Sequence, residues 1–198
     1  LKLNNVDKIV IKKWYLGIII GSLIGSFLAS KINGEILVII FVSLAFIISF
    51  NMFFQNNIKH IKEDIPKSVF INFLISGSIG FLSVLIGIGG GSFSVPTLTV
   101  FSKKMHQAVG TSAVLGFFIS VPGAISYIFL GIHVPNLPPY SIGYVNILIV
   151  LLVVSTSVFT ANFGAKLSSK IQTKNLKKIF AIFLLFTCIS LVIEHFVI

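Results

Sequence analysis

Charged residues fall along this chain in short groups. Between them lie five stretches free of Lys, Arg, Asp and Glu: residues 14–30, 36–58, 68–102, 105–165 and 179–193. A helix that crosses a hydrocarbon layer about 30 Å thick needs about 20 consecutive, mostly apolar residues. The first two stretches therefore predict one spanning helix each, over 14–30 and 35–54. The last, extended by its apolar flanks, predicts a helix over 176–197. The stretch 105–165 must hold two helices, over 108–130 and 141–165. They are parted by Val134-Pro-Asn-Leu-Pro-Pro-Tyr140, whose prolines cannot continue a helix.

The stretch 68–102 fits neither count, being too long for one crossing and too short for two with a turn. Its centre reads Gly87-Ile-Gly-Gly-Gly91 and continues as Ser92-Phe-Ser-Val-Pro-Thr97. Glycine costs about 1 kcal/mol and proline about 3 kcal/mol per helical position, so one continuous helix is excluded. The pattern predicts a helix over 68–86, a break, and a half-helix over 96–102 with Pro96 in its first turn. Irregular backbone at membrane depth survives only when buried in protein or facing a wet cavity. The break is therefore the most informative feature of the pattern.

Shifting the chain against itself by 139 positions matches Gly25, Leu28, Ser30, Lys31 and Ile32 to Gly164, Leu167, Ser169, Lys170 and Ile171. Leu37, Ile40 and Phe41 match Leu176, Ile179 and Phe180. The two C-terminal helices thus read as a second copy of the first two. Four crossings separate the copies, an even number, which predicts parallel repeats. The broken helix should then have its own counterpart ahead of Leu1, which implies about seventy further residues in a parent of about 270. The expected organisation is 1–58 as the remaining helices of a first repeat, 59–67 as a linker, and 68–198 as a second repeat of one broken helix and three spans. A complete six-helix protein with an accidental repeat is the plainer alternative.

Composition agrees with the pattern. The chain is 56% hydrophobic and 10% charged, with a mean hydropathy of +1.05. A soluble domain carries about a quarter charged residues, so a water-soluble globule is excluded. The fold class expected is an all-α integral membrane protein, a polytopic helix bundle with a glycine-broken helix and two parallel repeats, the first incomplete. The net charge of +10 comes from lysines grouped between apolar runs, the arrangement that flanks membrane spans. No basic stripe offers itself to phosphates, so nucleic acid is not an expected partner. The single cysteine, Cys188, excludes a disulfide framework and a cysteine-built metal site, and no cofactor or metal is implied. Lys31, Lys103, Lys104 and the cluster 166–178 fall on one side of the bilayer, which the density of that cluster favours as cytoplasmic.

The segment Gly80–Pro96, with its glycine triplet followed by a proline, resembles the signature of the sulfite exporter TauE/SafE family. The downstream Ala108-Val-Gly-Thr-Ser112 and the pair Gly164-Ala165 resemble it too, in order and in spacing. The resemblance covers essentially the whole chain, but a first copy of the glycine–proline motif is missing. What it implies is a multi-pass permease of the bacterial inner membrane for sulfite, small sulfonates or related carboxylates.

The residues themselves suggest where an anion could be held. Gly87, Gly89, Gly90 and Gly91 could present backbone N–H groups at the start of the half-helix, where the positive end of its dipole adds to them. Ser92, Ser94 and Thr97 could add hydroxyls beside Pro96; the plainer reading is a packing hinge. Thr111 and Ser112 could face the same cavity, although such residues more often bond their own backbone or a neighbouring helix. Gly17, Gly21 and Gly25 form a stripe suited to close helix contact within the chain, with a homodimer seam as the alternative; Ala161 and Ala165 make a weaker version. Asn51, Asn72 and Asn162 are candidates for hydrogen bonds between helices, and His106 and His133 for surface positions. The five uncharged stretches hold no Asp or Glu, and Glu194 lies just beyond the last of them near the C-terminal end, so a proton-coupled carboxylate is not offered. No acid–base pair, nucleophile or ligand set lies in the membrane, which argues against an enzyme. The function expected is a secondary transporter for a small anion, working by alternating access around the glycine break. The alternative is a non-transporting scaffold or assembly factor, which predicts a filled, dry centre.

Overall fold

The structure is a computed structural model, and it describes residues 6–54, 65–87, 89–103, 105–170 and 173–196. Seven helices are present among these residues: α1 Lys8–Ala29, α2 Gly34–Phe54, α3 Val69–Ile86, α4 Gly91–Val100, α5 Met105–Gly131, α6 Ile147–Lys170 and α7 Thr173–Phe196. Two short strands, β1 Ser141–Ile142 and β2 Val145–Asn146, pair antiparallel. The all-α membrane architecture expected from the uncharged runs is what the chain adopts. Lys8–Ala29, Val69–Ile86 and Gln107–Gly131 are each long and apolar enough to cross a bilayer. Contacts divide the chain into two compact units, one of Leu1–Ile32 with Lys59–Pro135 and one of Asn33–Ile58 with Asn136–Ile198.

The first unit holds α1, α3, α4 and α5. The helix α1 begins six residues before the expected Trp14, because the Asp7 carboxylate accepts the N–H groups of Ile9 and Val10 at 3.0 and 3.2 Å and caps it. Its glycine stripe lies against α3. A side-chain carbon added at Gly17 would meet Phe73 O and Ser76 Oγ, one at Gly21 would meet the backbone of Gly77, and one at Gly25 would meet Phe81 O. Gly80 on α3 returns the contact against Ile18 O. The stripe is thus consumed inside the chain, and the contacts advance together along α1 and α3, so the two helices run parallel. Trp14 Nε1 donates to Asn72 Oδ1 at 2.9 Å, while the Asn72 amide donates to Pro66 O and Ser68 O, which fulfils the inter-helix role expected of Asn72. Asp7 meets Thr111 at one end of α1 and Ser26 bonds Ser126 at the other, so α5 runs the same way.

The second unit holds α2, α6, α7 and the hairpin. The helix α6 starts at Ile147 rather than at 141. Tyr140 and Gly143 adopt φ of 64° and 58°, which turns the chain into the hairpin. Asn146 then caps α6 by accepting the N–H of Ile149 at 3.1 Å and donating to Pro139 O at 3.0 Å. In α2 and α7, Ser49 Oγ donates to Ala181 O at 2.7 Å and the Cys188 thiol to Val42 O at 3.8 Å. As positions rise along α2 they fall along α7, so these two helices are antiparallel.

The sequence predicts parallel repeats. The starts of α6 and α7 stand at the same 139-residue shift from those of α1 and α2 that aligns the sequence, so α2 and α7 are counterparts. Parallel copies would carry them in one direction; they run in opposite directions. In the first unit the broken segment turns back on itself. There α3 leaves the end of the bundle marked by Asp7, and α4 brings the chain back to Lys103, which pairs with Asp7 at 2.8 Å. The broken segment thus returns to the end it left, which puts Lys103 at the opposite end of α1 from Lys31 rather than on the same side.

Candidate functional site

The end of α3 is set by Gly87, whose φ of 75° places it in the left-handed region, with its N–H donated to Ser83 O at 3.0 Å. Tyr127 of α5 donates its hydroxyl to Val84 O at 3.2 Å. Gly89 is also left-handed, with φ of 78°, and α4 opens immediately after it, with Ser94 N–H bonded to Gly90 O at 3.0 Å. The half-helix therefore begins at Gly91, not at Pro96. Pro96 lies inside α4, where its ring provides no N–H for the Ser92 carbonyl. The start is earlier because Gly90 presses against α5. A side-chain carbon there would come within 2.8 Å of Gly116 Cα and 2.9 Å of Ile119 Cδ1, and only glycine lets the backbone in. Gly116 and Ile119 are near the middle of α5, so the N-terminus of α4 lies at mid-length of a 27-residue helix.

At its other end α4 closes with Ser102 at φ of 60° and Lys103 N–H returning to Leu98 O at 3.1 Å, which turns Lys103 towards Asp7. Burial alone would raise the Asp7 carboxyl. The bond from Lys103 and the N–H groups of α1 outweigh it and hold the carboxyl below its ordinary value.

The expected site residues separate into engaged and unengaged groups. Thr111 is buried and accepts the Asp7 N–H at 2.9 Å; Ser112, also buried, donates to Ala108 O at 2.6 Å. Thr97 donates to Phe93 O at 2.7 Å. These hydroxyls serve the backbone and the join between helices. Gly87 and Gly91 are exposed, Gly89 and Ser92 half-buried, Gly90 buried. Ser94 is different: it is fully buried and its hydroxyl has no hydrogen-bond partner among the described residues. The same holds for Ser83, 1% exposed, which the sequence reading passed over. Ser83 lies four residues before Gly87 and Ser94 three after Gly91, so one orphan hydroxyl stands on each side of the break. The signal in the sequence was its place within Gly80–Pro96; what hid it is that a serine in a membrane helix ordinarily bonds its own backbone.

Two grooves open elsewhere in the first unit, and neither is lined by residues 87–97. One, about 360 Å³, is apolar and follows α1 and α3 past Gly17, Gly21 and Gly77. The other, about 520 Å³, lies at the start of the same helices. His133 is exposed beyond α5, as expected. The side chains of Asn51, His106, Ala161, Asn162, Ala165 and Glu194 lie outside the described residues.

The profile of the sulfite exporter TauE/SafE family matches residues 1–191. A probable membrane transporter protein of Haemophilus influenzae is 40% identical over 59% of the chain and 44% of its own length. Namesakes in Methanocaldococcus jannaschii and Bacillus subtilis are 35% and 32% identical over 53% and 63% of the chain, and over 39% and 41% of their own lengths. The matched region thus spans less than half the length of these relatives. No solved structure matches the chain.

Proposed function

The chain belongs to the sulfite exporter TauE/SafE family, and from that premise we propose that it serves a secondary transporter for small anions such as sulfite or organosulfonates, placed in the bacterial inner membrane. The anion is received where the chain breaks between α3 and α4. The observation that carries this reading is the pair of buried, partnerless hydroxyls of Ser83 and Ser94. A buried polar group without a partner costs about 1–3 kcal/mol, and a native fold retains that cost where a solute or water will meet the group. The first N–H groups of α4, at Gly91, Ser92 and Phe93, lack intrahelical acceptors and lie at the positive end of its dipole. Donors of this kind, with no lysine among them, suit an oxyanion that must be held and then released.

Gly87 and Gly89 contribute backbone shape, and Gly90 keeps the N-terminus of α4 at the middle of α5. Thr111 and Ser112 act at one remove in this reading, by tying α5 to α1 and to its own backbone. The division into repeats over 1–58 and 68–198 remains part of the proposal, with the copies inverted, which is the arrangement alternating access commonly uses. A scaffold with a dry, filled centre would be expected to satisfy both hydroxyls, and it is the weaker reading for that reason.

The test is efflux of sulfite and of small sulfonates from proteoliposomes carrying wild type or Ser83→Ala/Ser94→Ala. Hydrogen bonds to charged groups are worth about 1.5–3 kcal/mol each, so at least a tenfold fall in flux at subsaturating anion is expected. Flux equal to wild type in the double variant overturns the site.

A further inference from the structure

The groove at the start of α1 and α3 is not lined by residues 87–97, yet its chemistry is specific. Lys8, Ile9, Lys12, Lys13 and Leu16 follow one another at helical spacing on the exposed side of α1, opposite the buried Val10, Trp14 and Ile18. Lys67, just ahead of the Ser68 cap, brings a fourth ammonium from α3, and exposed Val69 and Phe73 continue the apolar wall. The result is a cavity of about 520 Å³ lined by four lysines, Asn72 and apolar side chains, with no acid among the described residues of its lining. Asp7, the acid next to it in sequence, is turned away to Lys103. Because α1 and α3 run parallel, both present their N-terminal ends here, and both dipoles add to the positive field.

From this juxtaposition we infer that the groove between the starts of α1 and α3 is a binding site for an anionic phospholipid, its phosphate held by Lys12, Lys13 and Lys67 and its acyl chains laid against Leu16, Val69 and Phe73. Lysines alone would attract any anion. The apolar wall running away from them along two membrane-spanning helices selects an amphiphile with its charge at the bilayer surface. Phosphatidylglycerol, and each phosphatidyl half of cardiolipin, has that shape and charge.

The experiment measures cardiolipin retained by the detergent-purified protein in native mass spectrometry, with phosphatidylcholine as the neutral comparison and free glycerol phosphate as a soluble competitor. Lys12→Gln/Lys13→Gln/Lys67→Gln should weaken cardiolipin binding about a hundredfold, since each lysine near a phosphate contributes about a factor of five. Lys12→Arg/Lys13→Arg/Lys67→Arg, which keeps the charge, should bind as wild type does, as should Lys31→Gln at the far end of α1. Glycerol phosphate should not displace the lipid. The inference is overturned if the glutamine variant retains cardiolipin like wild type, or if phosphatidylcholine or glycerol phosphate occupies the site equally well. Sulfite efflux plays no part in this readout, so the outcome is independent of the transport proposal.

Discussion

A hydroxyl group in a membrane helix normally disappears into the backbone, and most in this chain do. Ser22, Ser26, Ser76, Thr97 and Ser112 each reach a carbonyl one turn back. Ser83 and Ser94 do not, and the contrast makes a sharp expectation about stability. Ser94→Ala removes a buried group that has no partner, so the thermal midpoint of the purified protein should stay level or rise while sulfite flux falls; a fall in both would mark Ser94 as structural. The sequence could nominate Ser94 from its place in the glycine–proline motif. It could not separate Ser83 from its neighbours, because orphan status depends on what packs around a side chain, not on its identity. Asp7 was legible in principle, as an N-cap residue ahead of an apolar face, but the lysines that follow it obscured the start of α1. Its pH dependence has a defined sign. The folded carboxyl titrates below its ordinary value, so its stabilisation is complete above the carboxylate range and is lost as pH falls through the depressed value. Asp7→Asn keeps the cap and loses the ion pair with Lys103, a half-buried contact worth about 1 kcal/mol or less. The difference in thermal midpoint between wild type and Asp7→Asn should be present at neutral pH and close below about pH 4.

Among the elements, α1 and α3 were placed by their uncharged length, and their partnership by three glycines at four-residue spacing. Gly21→Ala drives a methyl into the Gly77 backbone and should cost about 1–3 kcal/mol in unfolding experiments. Gly34→Ala, where nothing lies within 4 Å, should be neutral or gain about 0.5–1 kcal/mol. Equal effects at the two glycines would mean that the seam is not as close as described. The existence of the break between α3 and α4 was legible because four glycines in five residues cannot continue a helix. Its geometry was not. The sequence put Pro96 at the start of the half-helix by the usual preference for proline in a first turn, whereas the contact of Gly90 with Gly116 moves the start to Gly91. The hairpin before α6 was missed for a related reason, since only a left-handed Tyr140 and the Asn146 cap separate it from an apolar run that reads as helix throughout.

At the level of the whole molecule, the repeat is a proposal from the sequence, and the opposite directions of α2 and α7 make its copies inverted in that reading. The inversion can be read chemically. In a Cys188→Ser background, Asn33→Cys before α2 and Asn175→Cys at the start of α7 should react with a membrane-impermeant thiol reagent from opposite sides of sealed vesicles. Labelling from the same side would restore parallel copies. The proposed transport role requires some helices to shift, and the seam between α1 and α3 says which cannot do so independently. Where main chain rests on main chain at Gly17, Gly21, Gly25 and Gly80, there are no side-chain rotamers to yield, so α1 and α3 must travel as a single stiff strut. Slack has to be found instead at the left-handed joint after Ile86, which makes that bend the natural fulcrum of any working stroke.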